Sequence, residues 1–315
     1  MKSMVSLFTA AILVVAPISA WSASVKIFEP PGALATDPAD INNFGQVVGF
    51  VADRPPSSAG DHFLRQPDGS FVTITSVNPS TGPIHDINDA GQIVGALVGQ
   101  SFVGTPTSTP GVYSVTTFRP FGAGFSEATG VNDRGQIVGN VALGPSSVTQ
   151  PYLRQPDGTV VLINTGGSVQ GINDAGTIAG NNSGGGFIGA ATSIPGQYTL
   201  TPFEAGVVSS FVTGINNRGD VAGYAFDNPQ ISFYHGFVRQ ADGAIRKSDI
   251  LNSRFEGIND AGIIVGQLSE AGRLQGFLAS ANDLPLPVPE PASMQFILIG
   301  IAILVVVLTA RRCLL

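Results

Sequence analysis

Three histidines, His62, His85 and His235, are the side chains best suited to moving a proton near neutral pH, and one of them stands apart. His85 neighbours Asp86, a carboxylate that could raise its pKa and make it a base. No Ser or Cys in a nucleophile motif accompanies the pair. His62 and His235 take matching places ahead of a strand, which reads as packing or strand-end hydrogen bonding. An enzyme here would need acids and histidines that break the symmetry of their surroundings and converge on one face. Asp61, His85, Asp86, Glu127, Glu204 and Asp227 are of that kind. "DINDAG" (86–91) opens like a calcium loop, D-x-[DN]-x-[DN]-G. Ala90 takes the third ligand position and no Glu follows at the required distance, so a turn accounts for Asn88 and Asp89. "NNSGGGFIG" (181–189) has the glycines of a phosphate cradle without its lysine or helix. Cys313, the single cysteine, permits no disulfide or thiolate metal site within one chain. These residues assign no catalytic, cofactor-binding or metal-binding role.

The elements that must position them come from a repeat. "DINNFGQVVGF", "DINDAGQIVGA", "GVNDRGQIVGN", "GINDAGTIAGN", "GINNRGDVAGY" and "GINDAGIIVGQ" place the Ile-Asn or Val-Asn step at 41, 87, 131, 172, 215 and 258, spaced 46, 44, 41, 43 and 43. A period in the forties marks a repeat architecture. Asn and Asp favour a turn, and the glycine after them (Gly45, Gly91, Gly135, Gly176, Gly219, Gly262) can take positive φ. The β-branched run that follows is a strand.

A second hairpin lies further on. It is short at 62–74, 151–163 and 236–248, each turning at Pro/Ala-Asp-Gly, and longer at 101–118 and 186–203. Four short antiparallel strands per repeat is the content of one propeller blade. The sixth repeat lacks its fourth strand after "GFLAS" (276–280), and "VKIF" (25–28) at the other end of the chain supplies it. The expected fold is all-β, a six-bladed β-propeller-like domain over 24–280 whose N-terminal strand closes the last blade. An elongated solenoid or two stacked sandwiches are the other arrangements open to the pattern.

Composition agrees with this class. Forty glycines, 22 prolines, 43% hydrophobic and 12% charged residues suit strands and turns, and a net charge of −7 argues against nucleic acid. Carbohydrate platforms lean on Trp and Tyr. Here Trp21 is the single tryptophan, and Tyr113 and Tyr198 match across repeats as core residues would.

Both ends differ from the middle. Residues 1–20 join Lys2 to an apolar run and small residues, the pattern of a secretory signal peptide cut after Ala20, with Ala23 the second choice. Residues 281–287 form a Pro-rich linker. Residues 292–310 carry three polar side chains and precede Arg311-Arg312. Nineteen helical residues at ~1.5 Å each span roughly 28 Å, one hydrocarbon core, with the arginines on the cytoplasmic side.

The Gly-Ile-Asn-x-x-Gly-x-Val-x-Gly units, with His235-Gly236-Phe237 behind one of them, resemble the extracellular HAF-repeat proteins of bacteria over nearly all of 38–280. That resemblance implies a secreted repeat protein and brings no established activity. The tail, Val288-Pro289-Glu290-Pro291, apolar helix and Arg311-Arg312, resembles a PEP-CTERM sorting signal. It implies processing near Pro291 by an exosortase-type membrane protease. The resemblance further implies delivery to the surface of a Gram-negative cell, commonly one producing exopolysaccharide. The expected partners are that protease, exopolysaccharide or cell-envelope components, and the membrane through the helix before processing. An uncut, membrane-anchored propeller and a propeller lectin or enzyme acting on extracellular glycans are the rival readings.

Overall fold

Each repeat closes a hairpin at its Asn-containing turn. The Asn side-chain oxygen accepts the backbone N–H four residues on, from Asn42 with Gln46 to Asn259 with Ile263, in all six copies. The glycine three residues after the Asn holds φ between +72° and +85°, where any other L-residue is strained. A computed structural model describes residues 25–52, 60–144, 149–206, 209–226, 233–270 and 272–285.

The hairpins build six antiparallel four-stranded blades. After β1 (Lys26–Phe28), blade 1 holds β2 (Ala35–Ile41), β3 (Val47–Ala52), β4 (Gly60–Arg65) and β5 (Phe71–Ile74). Blade 2 holds β6 (Ile84–Ile87), β7 (Ile93–Leu97), β8 (Gln100–Pro106) and β9 (Tyr113–Phe118). Blade 3 holds β10 (Phe125–Val131), β11 (Ile137–Ala142), β12 (Thr149–Arg154) and β13 (Val160–Leu162). Blade 4 holds β14 (Gly167–Ile172), β15 (Ile178–Asn182), β16 (Gly185–Ala191) and β17 (Tyr198–Phe203). Blade 5 holds β18 (Ser209–Ile215), β19 (Val221–Phe226), β20 (Tyr234–Arg239) and β21 (Ile245–Lys247). Blade 6 has β22 (Ser253–Ile258), β23 (Ile263–Glu270) and β24 (Arg273–Ser280), and takes β1 as its outer strand. Ile27 pairs with Phe277, so the two ends of the propeller meet inside one sheet as the sequence predicts. Closure hides the edges an open array would expose.

The innermost strands, β2, β6, β10, β14, β18 and β22, pack side by side around the axis. The last glycine of each unit has a separate duty. A Cβ on Gly49, Gly95, Gly180, Gly223 or Gly266 would lie 2.7–2.9 Å from the ring of Phe63, Phe102, Phe187, Phe237 or Phe277 on the third strand. Each of those rings is fully or almost fully buried, which is worth about 2–3 kcal/mol apiece. The glycine therefore clears the space that the aromatic fills.

Blades alternate. In odd blades the arginine before the short hairpin lies over the outer-strand phenylalanine of the preceding even blade. Arg65 lies over Phe28, Arg154 over Phe118 and Arg239 over Phe203, at 4.9–5.2 Å. Tyr113 and Tyr198 both open the outer strands of even blades and pack in the core. The packed domain reaches past the predicted boundary at 280: Ala281 and Leu284 are buried against blade 6, and Arg246 donates to the Leu284 carbonyl at 3.3 Å. Among the described residues no helix is long and apolar enough to cross a membrane. The predicted signal peptide, the helix at 292–310 and the sorting residues Val288 to Pro291 with Arg311 and Arg312 lie outside the described residues.

Candidate functional site

The repeated turn does more than reverse the chain. Each Asn side chain donates from Nδ2 to the backbone oxygen of the matching Asn in the next blade, at 3.0–3.2 Å. Asn42 donates to Asn88, and so on through Asn132, Asn173, Asn216 and Asn259 back to Asn42. The following residues make a second closed ring. The N–H of Asn43, Asp89, Asp133, Asp174, Asn217 and Asp260 each donates to the side-chain oxygen of the next, at 2.7–2.8 Å. Asp89 is thus an inter-blade acceptor as well as a turn residue. Burial and the charges of Asp89 and Asp174 push the Asp133 carboxyl up to about 6.

Above these rings each inner strand bulges, and the bulged residues, Ala39, His85, Thr129, Gln170, Thr213 and Glu256, line the channel. The next position is glycine in four blades but Asp40 and Asp86 in blades 1 and 2. Those two carboxyls hydrogen-bond to each other, and Asp86 accepts the Val131 N–H at 2.7 Å. Burial raises both, and the charge of Asp86 raises Asp40 further. The axial space here is only about 80 Å³. At the opposite mouth the channel widens into a cavity of about 490 Å³, lined by Asp37, Phe50, His62, His85, Arg254 and Glu256 among others. That is the size of a small-molecule site.

Asp37 on β2 and the Arg254–Glu256 pair on β22 face one another across the seam where the ring closes. Arg254 Nε lies 3.0 Å from Glu256 Oε1, and its guanidinium sits 4.5 Å over the Tyr224 ring, which stacks on Phe211. The Glu256 side chain is only 10% exposed. Burial pushes it up to about 8, against the opposing charge of Arg254. His85 Nε2 is a shielded atom without a hydrogen-bond partner, 3.9 Å from Glu127 Oε2.

The expectation that Asp86 would raise the His85 pKa is overturned. The Asp86 carboxyl is engaged with Asp40 and Val131, and burial, helped by the nearby His62, pushes His85 down to about 4. His62 and His235 are not in matching places either. His62 pairs with Phe50 and His235 with Ala225, one position out of step, so they fall on opposite faces of their strands. His62 faces the cavity with Nδ1 at 3.2 Å from the Val77 oxygen; His235 holds the Ser248 oxygen at 2.8 Å.

Of the six symmetry-breaking residues, the structure brings His85 and Glu127 together, while Asp86 turns instead to Asp40 and Val131. Asp61 and Glu204 are exposed elsewhere, the latter near Ser210, and Asp227 lies outside the described residues. Sequence reading passed over Asp37, Arg254 and Glu256. Their signal was available: the positions three and five before each repeated Asn are chemically mixed, while the position between them is apolar in all six repeats. "NNSGGGFIG" is a hairpin whose Asn181 bonds the Val212 backbone of blade 5.

No protein-family model matches the chain, and no curated protein matches it in sequence. Solved structures do match in shape. A candidate gluconolactonase aligns with a TM-score of 0.54 at 10% identity, over 81% of this chain and 91% of that one. TolB from Acinetobacter baumannii aligns with a TM-score of 0.52 at 14% identity, over 76% of this chain and 64% of that one. At such identities the likeness is one of fold, and the chain is an all-β, six-bladed β-propeller.

Proposed function

We propose that this is an exported, non-enzymatic recognition propeller, displayed at the cell surface or in the extracellular matrix, whose partner is an exopolysaccharide or a cell-envelope component. The observation that carries the reading is the one-sided cavity. Five of its lining groups, Asp37, His62, His85, Arg254 and Glu256, depart from the repeat in a molecule whose turns and core keep to it. The opposite mouth is tied off by the two hydrogen-bond rings. Export and sorting rest on the two termini of the sequence. The exosortase-type protease would cut near Pro291 and free the propeller from its transient helix.

Two measurements test this. The intact mass of the protein from its host, with and without the exosortase gene, should show loss of both ends only when the gene is present. A C-terminus at Leu315 in both strains would overturn sorting and leave an anchored propeller. Co-sedimentation with the host's extracellular polysaccharide and envelope fractions should be lost in Ala39→Trp, which fills the cavity. Unchanged co-sedimentation would move recognition off this mouth.

A glycan-active enzyme is the second reading. The unpartnered His85 nitrogen beside Glu127, opposite a carboxyl that keeps its proton near neutrality, favours it. Release of reducing ends from the bound polysaccharide, abolished in Glu256→Gln, would establish it in place of the first.

A further inference from the structure

We propose that the junction of blades 3 and 4 is a second glycan subsite, a groove that takes an uncharged stretch of polysaccharide. The inference rests on reading the cavity's face as the recognition face. The link from β13 to β14 covers residues 163–166 and is the shortest of the six. The other junctions use 29–34, 75–83, 119–124, 204–208 and 248–252. A groove of about 760 Å³ opens over the short link, larger than the axial cavity of about 490 Å³. β14 begins at the groove as β2 and β6 begin at the cavity, so both open on one face. Ser168, at the groove's inner end, accepts from Gln170, which lines the cavity, at 3.3 Å.

The groove is also where blade 4 departs from the repeat. The residue two after the last glycine of each unit is apolar in the other five blades: Val51, Leu97, Val141, Ala225 and Leu268. In blade 4 it is Asn182, half-buried in the groove wall. Its pairing partner is Gly167, where a Cβ would collide with the Asn181 carbonyl oxygen. Gly166 and Gly167 therefore leave bare backbone as the floor. The glycine-rich hairpin at 181–189, which lacks the lysine of a phosphate cradle, supplies one wall.

The lining has no charged side chain. Among the described residues, the side chains of Thr149, Gln150, Asn164 and Ser183 make no hydrogen bond, and the last three residues are exposed. Each of these groups donates and accepts, as a sugar hydroxyl does. Leu162, 38% exposed, adds apolar surface for the C–H side of a sugar ring. An ion of either sign would surrender hydration here without a counter-charge. A strand-forming peptide would need free backbone groups. The Ile163 and Gly167 N–H groups are already given to the Pro151 oxygen at 2.8 Å and the Thr165 hydroxyl at 3.3 Å. No aromatic ring lines the groove, so affinity must be summed along a chain of sugars instead of coming from one stacked ring.

The test is co-sedimentation of the full mature protein with its host's extracellular polysaccharide, before and after reduction of the polymer's carboxyls to alcohols. Binding should survive that reduction and also about 1 M NaCl, since the groove uses no charge. The double variant Gln150→Ala with Asn164→Ala should weaken it roughly tenfold or more. Asn164→Trp, which fills the groove, should abolish it. Both positions are exposed, so Tm should not move, which separates lost recognition from a lost fold. Undiminished binding by these variants would overturn the groove; loss in Ala39→Trp alone would leave recognition standing at the axis. Loss of binding on carboxyl reduction or at high salt would overturn the uncharged ligand. Binding lost in Asn164→Trp and kept in Ala39→Trp would establish the groove and move recognition off the axis. No binding of the unaltered protein to either polymer would overturn the subsite, and the envelope fractions would then decide the recognition reading by themselves.

Discussion

Asn259 donates from its side chain to the backbone oxygen of Asn42 at 3.2 Å, across 217 residues of chain. The same bond joins every other pair of neighbouring blades, so the last link of the ring is chemically the first repeated. Ring closure therefore rests on two kinds of seam: the β1–β24 pairing at the rim, and at the axis this bond with its neighbour from the Asp260 N–H to the Asn43 side chain. Their separate worth can be measured.

Asn173→Ala should cost about 1–3 kcal/mol, because it removes the donor to the buried Asn216 oxygen and the acceptor for the Thr177 N–H. In a chain of this size that lowers Tm by roughly 3–10 °C in a thermal melt. An unchanged Tm would mean the ring describes geometry without holding it.

Phe28→Ala should be worse, at about 3–5 kcal/mol, since the ring is buried at the closing seam among Phe63, Phe71 and Arg65. Urea unfolding should also lose cooperativity if blade 6 separates first. A single transition with an unchanged slope would show that blades 6 and 1 stay together without it.

Gly176→Ala tests backbone strain alone. A Cβ there meets nothing nearer than Gln136 Oε1 at 4.0 Å, yet φ is +77°. Destabilisation of about 1–2 kcal/mol is expected, with Gly176→Asn milder because Asn tolerates this region. Equal effects of the two substitutions would place the cost elsewhere.

Stability should fall as pH rises. Glu256 keeps its proton to about 8 in the fold, whereas the unfolded chain gives it up near 4.5, so the unfolded state binds fewer protons between those values. The stabilising share is complete below about 4.5 and lost as pH passes about 8. Asp40, Asp86 and Asp133, all raised, act in the same sense. Tm should drop between about pH 6 and pH 9, and Glu256→Gln should shrink that drop and raise Tm at the upper end. A rise in Tm with pH would contradict the assignment.

Strand count, hairpin placement and closure by residues 25–28 were all legible in the sequence, because a repeat repeats its structural demands. Turn residues recur for their dihedral angles, and the final glycine of each unit recurs for the aromatic that leans on it. The site was far less legible. Its residues stand where the repeat imposes nothing, so Glu256 and Arg254 look like ordinary variation until the inner strands are set around an axis. Asp40 and Asp86 were visible as departures from glycine, but their meeting depends on adjacent blades converging. The mismatch of His62 and His235 is a matter of one residue, and in a strand one residue exchanges the two faces.

The arginine-over-phenylalanine seam occurs at alternate junctions only: blade 6 with 1, 2 with 3, and 4 with 5. The ring is accordingly threefold in its outer parts and sixfold in the hydrogen bonds of its repeated turns. A fragment of one even and one odd blade contains both kinds of junction, one within itself and one at its ends. Three copies of such a fragment would supply both kinds of outer junction and the axial hydrogen-bond rings, which makes a two-blade homotrimer the smallest set of parts for the repeated architecture.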